Sequence, residues 1–345
     1  MRRYKRTLLA LALATSVVTG TAGWASGSAQ RAVTGPPPGS DAWVEDRSLG
    51  RALPHPGTAS AREVAGFFRT LSDAQQRVLV RRHPLVVGNL DGVPVALRYR
   101  ANSLAVRGTS FDRLAVDGRQ ILAFDPRGRG QVAEVYGDLE RARTVSVVVP
   151  GADIDAGTFD RANDPYGTPA GMAKSLRTAA GDGTAVIAWV GYTTPVGVGL
   201  DAATGDLAEA GAVRLTRFTR GLTAVGIPAP VLFCHSYGSV VCGLGARGGD
   251  VAVSGIVVMG SPGVRAGSAR ELKAPVWAAK SAGDWISKVP HVRFLGLGHG
   301  DDPTDPEFGA RPVPARQVHG HSGYFAPGTD SLDAFAAIAR TGGGR

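Results

Sequence analysis

Val231-Leu232-Phe233-Cys234-His235-Ser236-Tyr237-Gly238-Ser239-Val240-Val241-Cys242-Gly243-Leu244 decides how this 345-residue chain folds. Val231 to Phe233 is a short unbroken apolar run, the mark of a buried strand. It enters a turn of small and polar residues and leaves as an apolar helical stretch. A strand, a sharp turn and a helix in that order present a serine at the tip of a strained turn, with the N-terminus of the next helix aimed at it. Small residues two before and two after the serine let strand and helix approach closely. Gly238 meets the second requirement, and Cys234 stands where glycine is usual at the first. The strict Gly-x-Ser-x-Gly pattern occurs nowhere in the chain. With small residues allowed at the first position, Ala279-Lys280-Ser281-Ala282-Gly283 also matches, but Lys288-Val289-Pro290 follows it instead of a helix. Ser236 is therefore the preferred nucleophile; the plainer reading is a serine in an ordinary strand-to-helix turn.

A serine hydroxyl needs a base at neutral pH, and the base needs a group to orient it. On a sheet of this kind the order along the chain is serine, acid, histidine. Asp284 follows the strand candidate Val276 to Ala279 through Ser281-Ala282-Gly283, a position that points into the crevice at the carboxyl edge of a parallel sheet. Asp301, Asp302 and Asp305 are its rivals, in a polar loop that reads as solvated surface or a weak cation site. Four histidines come later: His291, His299, His319 and His321. The base belongs on a late loop just before the last helix, which favours His321, with His319 second. Two backbone amides should hold the oxyanion. One is that of Tyr237; the other is that of Ala152 or Gly151, where Val147-Val148-Val149 ends in Pro150-Gly151-Ala152.

Outward from the serine the pattern alternates. Apolar strand candidates at 145–149, 185–190, 230–234, 255–259 and 276–279 are separated by helical stretches near 167–179, 204–224 and 237–247, with a last helix near 331–338. Apolar runs without alternation, separated by helices, indicate a mostly parallel sheet with flanking helices, an α/β fold. Ahead of it, 121–124 and 132–136 read as a β-hairpin. Residues 59–82 read as helical, with Val64, Phe67, Phe68 and Leu71 on one face and a second start at Ser72-Asp73-Ala74-Gln75. Gly88 to Gly92 reads as a turn, and 103–118 carries no assignment. Residues 26–57, rich in Gly, Pro, Ser and Ala, read as a flexible or extended lead-in, which leaves 58–345 as one domain.

The first 25 residues read as a secretory signal peptide: basic from Arg2 to Arg6, apolar from Leu8 to Val18, then small residues, with cleavage after Ala25 or Ala29. An uncleaved anchor is the alternative. The formal net charge is +9; removing the four cations of that segment leaves +5, mildly basic. No compact Lys/Arg patch interleaved with aromatics supports nucleic-acid binding. The two cysteines, Cys234 and Cys242, straddle the serine turn. They read equally as a local disulfide that fixes the turn or as two small buried thiols, the bridge requiring Cα atoms within about 7 Å. Cys-x-x-Cys, His-Glu-x-x-His and Gly-x-x-x-x-Gly-Lys-Ser/Thr are absent from the sequence, and no metal or cofactor is called for.

Leu85 to Pro94, Phe124-Asp125-Pro126, Val148 to Gly151, His235 to Ser239, Gly260 to Gly263 and Gly320 to Phe325 together resemble an actinobacterial α/β-hydrolase family catalogued as a domain of unknown function. The matching stretches span about 70 to 340. That family usually has Gly before His-Ser-Tyr-Gly, where this chain has Cys234. The resemblance implies an α/β-hydrolase fold and a serine hydrolase, without a substrate. The expected protein is a secreted or cell-envelope carboxylic ester hydrolase, lipase-like, acting on a small-molecule or lipid ester through an acyl-enzyme. A peptidase or amidase with the same residues, or a non-catalytic envelope-binding protein on this scaffold, are the alternatives. Peripheral association with the cell envelope fits either, and the sequence carries no signal of oligomeric state.

Overall fold

The computed structural model describes residues 30–294 and 296–344; the signal-peptide reading of residues 1–25 lies outside them. Eight strands form one sheet: β1 (Ile121–Asp125), β2 (Gln131–Tyr136), β3 (Thr144–Val149), β4 (Thr184–Val190), β5 (Val231–His235), β6 (Gly255–Met259), β7 (Val276–Ala279) and β8 (Arg311–Pro312). Their spatial order is β1-β2-β4-β3-β5-β6-β7-β8. The hairpin β1–β2 joins β4 antiparallel, and every later pairing is parallel. The sequence gives no hint of β8, because two exposed residues, one a proline, make no apolar run. Such a strand is tolerated at a sheet edge.

Successive side chains of a strand face opposite sides of the sheet, and both sides here are covered. Val147, Ile187, Leu232 and Ile256 pack under α8 (Asp206–Ala224), which the single turn α7 (Leu200–Ala203) precedes, and under α9 (Gly238–Arg247), through Leu215, Phe218, Val240 and Val241. Val148, Val186, Phe233 and Val257 pack under α6 (Pro169–Ala180) and α10 (Asp330–Thr341), through Met172, Leu176 and Phe335. That two-sided burial is why these strands are apolar without alternation. Phe233 sits between Phe325 and Phe335, at ring-centroid distances of 6.2 and 5.5 Å. The strand that leads into Ser236 is thereby anchored to the last helix.

Among the described residues, five α-helices precede the sheet: α1 (Ser40–Glu45), α2 (Ala61–Arg69), α3 (Asp73–Arg82), α4 (Pro84–Asn89) and α5 (Val95–Ala105). Ser60 with Glu63 and Ser72 with Gln75 form capping boxes that start α2 and α3, each satisfying amides the helix itself leaves orphaned. Two readings need correction. Residues 30–57 are not a loose lead-in: α1 buries Trp43 completely among Val64, Phe68 and Leu79, and the Trp43 indole donates to the Pro54 carbonyl at 2.7 Å. Asp46, also buried, accepts from His83 Nε2 at 2.6 Å and Arg82 Nε at 2.8 Å. Gly88 and Asn89 belong to α4, so the turn begins only at Leu90. The helices cover the outer edge of the sheet: the Asn89 side chain bonds the Phe124 carbonyl (2.6 Å) and amide (3.0 Å), in place of a neighbouring strand. Covering an edge strand removes a template for unwanted pairing.

Candidate active site

β5 ends at His235, and Ser236 turns the chain with φ of 54°, a left-handed value a serine adopts only under constraint. Such a residue costs on the order of 1–3 kcal/mol and persists where its surroundings over-determine it. Three contacts do so here. The Ser236 amide donates to the Met259 carbonyl on β6 at 3.0 Å, the Ser239 amide donates back to the Ser236 carbonyl at 2.9 Å, and Ser239 Oγ bonds the Cys234 carbonyl at 3.1 Å. Cys234 and Cys242 are joined by a disulfide with Cα atoms 6.5 Å apart, so the last strand residues are tied to the second turn of α9. A cysteine thus stands at the position a small residue usually fills. Gly238, on the other side, cannot be replaced as easily: a Cβ there would stand 2.6 Å from the Pro150 carbonyl oxygen.

The turn after β3 lies directly against the serine. A Cβ on Gly151 would be 2.6 Å from Ser236 Cβ, 2.9 Å from Ser236 Oγ and 3.2 Å from the Tyr237 amide nitrogen. Only a residue without a side chain fits, and the missing methyl is the space beside the hydroxyl. Among the described residues nothing accepts from the amides of Tyr237 and Ala152. The turn is held from outside: Tyr192 donates to the Pro150 carbonyl at 2.7 Å, and the Asp153 amide donates to Pro195 O at 2.8 Å.

Asp284 begins a short 3₁₀ turn, Trp285–Lys288, just past β7 and is almost wholly buried. Its Oδ1 accepts from the Ile286 amide at 3.0 Å and from His321 Nδ1 at 2.8 Å; its Oδ2 lies 3.0 Å from the same Nδ1 and accepts from the Tyr324 hydroxyl at 2.8 Å. Burial pushes this carboxyl up, but the hydrogen bonds from His321, Ile286 and Tyr324 outweigh it and hold Asp284 below the ordinary carboxylate range. With Nδ1–H donated to Asp284, the neutral imidazole has Nε2 as its acceptor. That atom is buried and has no hydrogen-bond partner. The ring sits next to the elbow: His235 Nε2–H donates to the His321 carbonyl at 2.7 Å, with the two rings 4.6 Å apart. A Cβ on Gly260, one residue past the carbonyl that holds Ser236, would stand 3.0 Å from His321 Cε1. The Ser236 Oγ to His321 Nε2 hydrogen bond is not formed; such bonds often tighten only when substrate is bound.

The rival residues are elsewhere. His319 is exposed. His299 is buried, bonded through Nε2 to the Ala202 carbonyl at 2.7 Å. His291 lies 3.6 Å from Asp302, which also pairs with Lys280. Ser281 is buried: its Oγ donates to the Val318 carbonyl at 2.8 Å and its amide to the Tyr324 hydroxyl at 3.1 Å. It braces the loop carrying His321. Sequence reasoning passed over His235 and Tyr324, which bond the candidate base and acid. The signal for Tyr324 was its place in Gly320 to Phe325, a stretch matched as a block without a role for each residue.

Burial, and then the neighbouring His321, drive His235 down to about 3; burial drives His299 down to about 4. Unfolded histidines titrate near 6.5. Between about pH 6.5 and 4 the unfolded chain binds protons that the native chain refuses, so stability rises with pH through that window. On acidification it falls by on the order of 1 kcal/mol per pH unit for each histidine. The midpoint of urea unfolding is expected to drop steadily from about pH 7 to 5. His235→Gln, whose amide still donates to the His321 carbonyl, should flatten that slope; an unchanged slope in the variant would show that His235 does not cause it.

A family model described as Alpha/beta hydrolase matches residues 125–294. The uncharacterized protein Rv2079 of Mycobacterium tuberculosis is 26% identical over 83% of this chain, a match that spans 56% of that protein. The chain thus covers little more than half the length of that relative. The uncharacterized protein Rv0963c of the same organism is 34% identical over 62% of this chain and 76% of its own length. Among solved structures, the chain is similar to a dienelactone hydrolase from Anabaena variabilis (TM-score 0.41, 16% identity, 62% of this chain and 90% of that one). It is also similar to carboxyl esterase 2 from Tuber melanosporum (TM-score 0.40, 11% identity, 71% and 97%). At these TM-scores neither carries anything about chemistry.

Proposed function

The chain belongs to the α/β-hydrolase family, and we propose that it is an exported serine hydrolase that cleaves carboxylic esters through Ser236, His321 and Asp284. The observation that carries this reading is the buried, unpartnered Nε2 of His321, oriented by Asp284, on a loop whose His321 carbonyl is held by His235, the residue just before a serine in a left-handed turn. His321 Nε2 takes the proton of Ser236 as Oγ attacks the ester carbonyl. The charge that develops on the carbonyl oxygen is met by the Tyr237 and Ala152 amides, preorganised by α9 and by the turn after β3. His321 then returns the proton to the leaving alcohol, and Ser236 carries the acyl group. Water then attacks the acyl carbonyl as it gives a proton to His321, and the acyl–Oγ bond breaks as His321 returns that proton to Ser236, releasing the acid. Asp284 remains ionised and stabilises the imidazolium at each passage. Export is supported by the basic and then apolar start of the chain and by the Cys234–Cys242 disulfide, a bond that persists in oxidising compartments.

The test is a profile of the purified protein against short- and long-chain acyl esters, amides and peptides, with fluorophosphonate labelling alongside. Ester turnover with a labelled serine is expected. Turnover of amides alone would move the assignment to a peptidase or amidase, and the absence of both labelling and turnover would overturn it.

A further inference from the structure

Two loops flank the mouth of this site, and both turn apolar side chains to solvent. The first runs from Trp285 to Leu297. It begins beside the acid, with the Trp285 ring 5.0 Å from that of His321, and carries Phe294 and Leu297, whose amides and carbonyls pair with each other at 2.9 and 3.0 Å. The second, 195–203, is tied to the turn after β3 by Asp153, which accepts from the Gly197 amide at 2.8 Å. It carries Val198 and Leu200. The loops join where the Gly298 amide donates to the Ala203 carbonyl at 2.9 Å and His299 Nε2 to that of Ala202 at 2.7 Å. Their polar backbone is thus bonded inward while the apolar side chains stay outside: Phe294 is 64% exposed, Val198 and Leu200 61% each.

Single exposed apolar residues need no explanation, but a cluster marks an interaction surface. Charge says which kind. From Trp285 to Leu297 the cations Lys288 and Arg293 are exposed and no acidic residue occurs there; the second loop's one acid, Asp201, is half-buried and accepts from the Gln30 amide at 3.1 Å. Apolar side chains interleaved with cations suit an interface of acyl chains and anionic head groups. A second copy of this chain would instead bring the same cations face to face.

We propose that this rim docks on the surface of an aggregated lipid with anionic head groups, so that the ester reaches Ser236 from a lipid surface rather than from bulk water. The proposal rests on the serine-esterase reading and adds its substrate class. Binding is measured without turnover: Ser236→Ala protein is floated with phosphatidylcholine vesicles, with and without phosphatidylglycerol. Fluorophosphonate labelling of the wild-type chain in lipid-free buffer tests the serine reading separately, so either can fail alone. Flotation with the phosphatidylglycerol vesicles is expected. Phe294→Ser/Leu297→Ser and Val198→Ser/Leu200→Ser, made in the same background, should each weaken it at least about tenfold, since burying one such side chain is worth a factor of that order. Both pairs are exposed, and an unchanged circular dichroism spectrum excludes misfolding. No flotation, or flotation that high salt abolishes and the serines leave intact, would overturn the proposal. So would a dimer in lipid-free buffer that the same substitutions dissociate.

Discussion

Ser236→Ala is expected to lower ester turnover by at least about 10⁴-fold while leaving the fold and the thermal midpoint close to those of the parent. Removing the nucleophile of such a group costs up to about 10⁶ in kcat, and the remainder over water comes from the oxyanion site and binding. The change deletes one half-buried oxygen and leaves the Tyr237 amide, Gly151 and the disulfide untouched. KM should therefore move little while kcat collapses, the pattern of an interaction made only in the transition state. Ser281→Ala is the control. It removes the hydroxyl that braces Val318, so fluorophosphonate should still label Ser236 in that variant. Labelling that persists in Ser236→Ala would remove Ser236 from the reaction and with it the mechanism above.

The strands around Ser236 were legible because burial on both faces leaves no alternation to confuse with a helix. The elbow was legible because a strand, a small-residue turn and an apolar helix fall within fourteen consecutive residues. Asp284 stood out by its place after a strand and His321 by its place before the last helix; both signals are positional. The residues that hold those two side chains were not legible in that way. His235 acts on a backbone carbonyl 86 positions later, and Tyr324 on a carboxylate 40 positions earlier. Neither separation leaves a periodicity, and a histidine beside the nucleophile reads as an ordinary strand residue until the loop packs against it.

Composition misled at residues 30–57, for a related reason. Gly, Pro, Ser and Ala suggest a chain with too little apolar surface to order itself, yet one tryptophan changes the balance. Trp43 fills a space lined by helices α2 to α4, and Asp46 finds His83 and Arg82. Burial of a single aromatic side chain is worth roughly 1.5–3 kcal/mol, and Val64, Phe68 and Leu79, which enclose this one, come from later helices rather than from its own stretch of sequence. The cysteine pair shows the converse case. A spacing of eight across a strand, a turn and a helix allows both a bridge and two thiols; only the Cα separation that the folded elbow imposes decides between them.

Asp284→Asn is expected to reduce kcat by about 10³–10⁴-fold with a much smaller change in stability. The carboxylate accepts at both oxygens: His321 Nδ1 reaches each of them, the Ile286 amide takes Oδ1 and the Tyr324 hydroxyl takes Oδ2. An amide has one accepting oxygen and one donating nitrogen. Turned one way, the nitrogen faces the Ile286 N–H; turned the other, it faces the Tyr324 hydroxyl, which already receives the Ser281 amide. In both, His321 Nδ1 faces one donor and one neutral acceptor where it had two charged acceptors, so the Nδ1–H tautomer that leaves Nε2 free to accept from Ser236 loses much of its preference. Tyr324→Phe separates charge from orientation. It removes one of the three donors that hold Asp284 below the ordinary carboxylate range but keeps two oxygens for His321. Loss of that donor lets the Asp284 carboxyl rise. With both oxygens still facing His321, kcat should fall by only about tenfold. Equal losses in the two variants would mean that Tyr324, not the tautomer set by Asp284, governs the base, and an Asp284→Asn enzyme within tenfold of the parent would remove the acid from the mechanism altogether.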